Sequence, residues 1–193
     1  MIFTERQIEI INASKDLIGE KGLQNLTIKN LAKKMSFSEP ALYRHFQDKT
    51  QILKALLLFH REKVVFKIKN ILDSDISTLE KFEKILEYKF SHIEKNPALV
   101  MIIFSETSFQ YCSVLSKVVA KIMEQRSLSI ILLIKEGQEK KEIRSDISSE
   151  QLATIMMGGI RKTILDWKLS GFEADLKLEG KKLWETLELI FKK

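Results

Sequence analysis

The sequence predicts an all-α protein, and three observations carry that prediction. Gly and Pro are scarce, seven and two among 193 residues, so little turn chemistry exists to join many short strands. No segment alternates apolar and polar residues long enough to build a sheet. Apolar residues instead recur at three- and four-residue spacing behind recognisable helix caps.

Nine helices follow, over about 5–21, 28–35, 39–46, 49–72, 78–94, 97–106, 113–140, 149–170 and 176–192. Thr4, Ser77 and Ser148 each precede Glu or Gln by three residues, the capping-box spacing that satisfies free backbone N–H groups reciprocally. Asn96 stands before Pro97, which loses no hydrogen bond at a first helical position. Thr27, Ser38 and Asp48 are further N-caps. The first helix gathers Ile10, Ala13, Ser14, Leu17 and Ile18 on one face, and Gly22 follows as a left-handed stop. There is no internal repeat and no low-complexity linker.

Composition narrows the function classes. The longest apolar run, Ala98 to Phe104, is far short of the roughly 20 residues that span a bilayer. Glu5 and Arg6 leave no room for a signal-peptide core, and Cys112, the only cysteine, has no intrachain disulfide partner. A cytoplasmic protein is expected. The net charge of +6 is unevenly spread. Residues 1–26 carry −1, residues 27–49 carry +3 and residues 50–69 carry +4, while residues 70–193 are neutral. A surplus confined to one end is as expected if that end meets a polyanion, the alternative being a solvated basic surface.

Thr27 to Lys49 holds part of that surplus, and the helix that follows holds the rest. A short helix with Ile28, Leu31, Ala32 and Met35 inward meets the turn Ser36-Phe37-Ser38, and a second short helix places Leu42 and Phe46 inward. Ala32 permits a close crossing, and Phe37 plugs the angle. This is the layout of a helix-turn-helix, whose second helix enters the major groove of DNA. Thr27, Tyr43, His45 and Lys49 are placed to meet phosphates. Glu39, Pro40, Ala41 and Arg44 are placed to meet base edges. Carboxylate suits cytosine, guanidinium suits guanine, and Pro or Ala packs on a thymine methyl.

The spacing Ile10…Ala13…Leu17…Gly22…Thr27-Ile28…Leu31-Ala32…Ser38…Leu42-Tyr43-Arg44-His45-Phe46…Lys49 resembles the TetR family of bacterial transcriptional regulators, from the first helix to the start of the fourth. Leu-Tyr-Arg-His-Phe-x-x-Lys is its most specific part. The resemblance implies phosphate contacts at Thr27, Tyr43, His45 and Lys49, and base contacts in some members at Glu39, Pro40 and Arg44. Ser36 departs from the glycine common in that turn. The implied organisation is a DNA-binding domain over 1–48 and a ligand-binding and dimerisation domain over 49–193. The function implied is a repressor released from a pseudo-palindromic operator by a small apolar or amphipathic ligand. The alternative is a TetR-like protein whose second domain binds a protein.

Two late helices support dimerisation on their own pattern. Leu152, Ile155, Met156, Gly159, Ile160, Thr163 and Trp167 form one wide stripe, and Leu176, Gly180, Leu183, Trp184, Leu187, Ile190 and Phe191 form another. Paired about a two-fold axis they make a four-helix bundle, and the glycines allow close approach. Met101, Phe104, Phe109, Tyr111, Met123 and Met157 are candidates to line an apolar cavity. The helix over 49–72 is the natural lever between DNA and that cavity. His60 and His92 show no metal-ligand spacing, and Cys112 has no activating neighbour. No catalytic motif stands out, so no enzyme activity, cofactor or metal is expected.

Overall fold

The computed structural model describes residues 3–104 and 113–192. Its α-helices are α1 (Glu5–Lys21), α2 (Ile28–Met35), α3 (Glu39–Tyr43), α4 (Lys49–Leu72), α5 (Thr78–Glu94), α6 (Pro97–Ile103), α7 (Ser113–Glu139), α8 (Ser149–Leu169) and α9 (Leu176–Phe191). A 3-10 turn, Leu23–Asn25, joins α1 to α2. No strand occurs among the described residues.

The caps explain the helix starts. Thr4 and Ser77 form complete capping boxes with Gln7 and Glu80. Ser148 accepts from the Gln151 N–H, and Asp48 from the Gln51 N–H at 2.8 Å. Ser38 and Asn96 make no side-chain cap bond, so Pro at the start does the work of setting the backbone there. Two expected ends move. The helix after Ser38 stops at Tyr43 instead of running to 46, because Arg44 and His45 close a tight turn in which the His45 and Phe46 N–H groups share the Leu42 carbonyl. The helix after Asn96 stops at Ile103. Gly22 has φ +83° and ψ 162°, outside the left-handed helical region expected of it and in backbone space essentially confined to glycine.

The chain divides into two compact units. One runs up to Lys63 and includes Asn96–Val119; the other comprises Val64–Lys95 and the chain from Ala120 onward. In the first, α1 packs on α2, α2 on α3, and α6 returns against α1 and the 3-10 turn. Ile10, Ile18, Leu31, Leu42, Leu56 and Ile102 fill its core with no exposed surface. Ser14 is equally buried, and its hydroxyl donates to the Ile10 carbonyl at 2.7 Å.

In the second unit, α9 packs on α5 and α8. Phe82 stacks edge-on against Phe191 at 5.7 Å, with Trp184 beside it at 6.4 Å. Gly180 is there because α5 is close: a Cβ at that position would fall 2.3 Å from the Phe90 ring. Its close approach is therefore made within the chain.

Candidate nucleic-acid interface

The helix-turn-helix is tied to its surroundings by specific contacts. Ser36 ends α2 in a left-handed conformation, φ 56° and ψ 38°, and the Phe37 N–H closes back onto the Ala32 carbonyl at 2.9 Å. A serine there bears strain that glycine would not. The Phe37 ring lies under the Arg6 guanidinium at 5.1 Å, tying the turn to α1. Gln7 donates to the His45 carbonyl at 3.4 Å, and Lys34 pairs with Glu20 at 2.7 Å. Arg6, Gln7 and Glu20 were not legible as positioning residues, since nothing local links them to partners 14 to 38 positions away.

Against this frame the exposed side chains form the outer face. Glu39, Pro40, Tyr43 and Arg44 are all exposed on and just beyond α3, and Tyr43 keeps half its surface in solvent with no core role. Thr27, Lys29 and Lys33 are exposed on the flank made by α2. The Thr27 hydroxyl accepts from the Asn30 N–H at 3.1 Å, which leaves its own O–H able to donate. Phe46 is core, 5% exposed.

Three expected contact residues are less open. Ala41 and His45 are half-buried. Lys49 is half-buried too, its Nζ 3.4 Å from the Leu23 carbonyl, and partial burial pulls its pKa below the ordinary lysine value. It tethers α4 to the 3-10 turn as well as supplying charge.

The late-helix stripes need correction as an interface. Leu152, Met156, Ile160, Trp167, Leu187 and Phe191 are at most 4% exposed within their own chain. A side chain covered by its own subunit has no surface left for a partner, so these six are core. Ile155 is exposed, while Gly159, Thr163, Leu183 and Ile190 are half-buried. Leu189 is 77% exposed, on the side of α9 away from its apolar stripe.

The cavity candidates divide. Phe109, Tyr111 and Cys112 lie outside the described residues. Met101 and Phe104 belong to the first unit, Met123 and Met157 to the second, and all four are half-buried. A shallow recess of about 270 Å³ between α8 and α9 is lined by Thr163, Asp166, Trp167, Ser170, Ala174, Leu176 and Glu179, and by none of these candidates.

Comparison with known proteins matches this architecture along nearly the whole chain. Residues 10–56 match "Bacterial regulatory proteins, tetR family", and residues 60–190 match "YsiA-like protein, C-terminal region". The nucleoid occlusion factor SlmA of Aliivibrio fischeri (strain ATCC 700601 / ES114) is 25% identical over 183 residues, covering 94% of this chain and 93% of SlmA. The fatty acid degradation regulator FadR from Bacillus halodurans superposes with a TM-score of 0.87 at 18% identity, over 97% of each chain. FadR from Bacillus subtilis in complex with stearoyl-CoA gives 0.79 at 20% identity, over 95% of this chain and 98% of FadR. No helix among the described residues is long and apolar enough to cross a membrane. With both halves matched and an exposed recognition face on a braced helix-turn-helix, the chain belongs to the TetR family of bacterial regulatory proteins and is a DNA-binding transcriptional regulator.

Proposed function

We propose that this regulator is a cytoplasmic homodimer, without catalytic activity, that represses from a pseudo-palindromic operator and is released by a small apolar or amphipathic ligand. The observation that carries the reading is the outer face of α3, where Glu39, Pro40, Tyr43 and Arg44 all stand in solvent on a braced scaffold. Residues 1–48 read DNA; residues 49–193 dimerise and take the ligand. Tyr43 and Thr27 donate to phosphates, His45 and Lys49 add to that grip, and Arg44, Pro40 and Glu39 sample base edges, with Ala41 behind them. Two such heads related by a two-fold axis reach successive major grooves.

Ile155 and Leu189, with the half-buried Leu183 and Ile190, are the surface of α8 and α9 still available to a second copy, while Gly159 is met by Leu183 of its own chain. Support for a ligand comes from the fold shared with FadR from Bacillus subtilis, whose structure contains stearoyl-CoA. A ligand that prefers the DNA-incompetent shape by about 1.4 kcal/mol lowers operator affinity tenfold.

Genome-wide footprinting with and without long-chain acyl-CoA tests the reading. Protected two-fold-symmetric sites that are vacated on ligand addition are expected. Protection that never depends on a small molecule would overturn the ligand-released repressor.

A further inference from the structure

The recognition helix is too short to hold its own direction. α3 has five residues, little more than one turn, and Leu42 and Phe46 anchor it at 0% and 5% exposed. Apolar burial is non-directional, so these anchors fix how deep α3 sits but not how it is turned. Direction comes from contacts of defined geometry, and two consecutive residues of α1 supply one beyond each end. Arg6 lies over the ring of Phe37, just before α3, and Gln7 donates to the carbonyl of His45, just after it. Glu9 holds the Arg6 guanidinium at 2.5 Å from one turn along α1. The Gln7 side chain is itself fixed, because its Oε1 accepts from the Thr4 N–H at 3.1 Å in the capping box.

The same stretch of chain reaches α4. Phe3 meets Phe59 edge to face with ring centroids 6.1 Å apart, and the Lys63 ammonium stands over the Phe59 ring at 4.2 Å. Both rings are half-buried, so the stack borders the core instead of filling it. It ends at Lys63, the last α4 residue of the first unit. Phe3, Arg6 and Gln7 thus join α4 to both ends of α3. Each contact is worth about tenfold or less in an equilibrium, small against the fully buried core that holds the fold. Phe3, Arg6, Gln7, Phe59 and Lys63 all lie outside residues 10–56, so the family match does not supply this arrangement.

We propose that residues 3–7 are a clasp that sets the angle of α3 against α4, making Phe3, Arg6 and Gln7 positioning residues for base readout. Hydrogen bonds to base edges tolerate little misdirection, whereas phosphates can be gripped from many angles. An open clasp therefore costs sequence discrimination more than overall affinity. This rests on α3 as the reading helix and goes beyond the ligand reading, on which it does not depend.

The test uses the full-length protein and two probes: a duplex that the wild type selects from a random pool, and a scrambled duplex of the same length and composition. The readout is the ratio of the two affinities at constant ionic strength. Phe3→Ala and Phe59→Ala should each lower that ratio about three- to tenfold, and the double variant should be no worse than the poorer single. Phe3→Tyr, which keeps the ring, should retain the wild-type ratio. Gln7→Glu keeps the capping box but, as a carboxylate, cannot donate to His45, while Gln7→Ala loses both functions. The two should lower the ratio alike. Phe3→Ala should leave the slope of log affinity against log salt unchanged, since no phosphate contact is lost. A lowered Tm with an unaltered ratio would mean packing alone and overturn the clasp, as would losses that multiply in the double variant. A loss confined to Gln7→Ala assigns the effect to the helix cap and overturns it too. If the wild type prefers no selected duplex, base readout by α3 falls together with the clasp; if only the variants keep its preference, the clasp falls alone.

Discussion

The cations around α2 and α3 and those inside the second unit live under opposite conditions. Lys29, Lys33 and Arg44 stand in solvent on a small scaffold, where hydration stabilises them until a polyanion arrives. Lys81 is 6% exposed and lies 3.7 Å from Glu136. An exposed positive surface is long-ranged and screened by salt; a sheltered cation acts at short range, is weakly screened and needs a counter-charge within the fold. Lysine therefore serves a DNA-binding surface in one place and an internal ion pair in the other.

The largest expected effect comes from disturbing the inner region alone. Gly180→Ala forces a methyl into the Phe90 ring and should lower stability by about 3 kcal/mol in urea unfolding. Unchanged stability would show that α5 and α9 slide apart freely. Next comes the outer face. Tyr43→Phe with Lys49→Ala should weaken operator and nonspecific DNA alike, about tenfold or more, and should reduce the slope of log affinity against log salt by about 0.9 per lost phosphate contact. Titrations across a salt series measure this, and an unaltered slope would remove both residues from the phosphate grip.

The smallest effect is expected at Ser36→Gly. Relief of its left-handed backbone should add about 0.5–1 kcal/mol with no change in DNA binding. A gain in stability accompanied by weaker operator binding would show that strain at Ser36 sets the angle of α3.

Much of the outer region was legible in order along the chain. Caps, apolar spacing and the Leu42–Phe46 run lie within a few residues of one another, so local chemistry declares them. The dimer surface was only half legible. Periodicity says that α8 and α9 each have an apolar side, but not whether that side meets its own chain or a copy. Six of the eleven expected interface residues proved to be core, because α9 spends its stripe on α5 and α8.

By itself the sequence determined the helices, the helix-turn-helix and the basic end, since each depends on residues within a turn or two. Only the tertiary structure decided that Arg6 braces Phe37, that α6 returns against α1, that Gly180 admits Phe90, and that Lys81 meets a carboxylate. Lys81 and Glu136 lie on different helices, far apart in the chain. Whether they meet depends on how those helices are turned, and that is settled by packing across the core, not by local sequence.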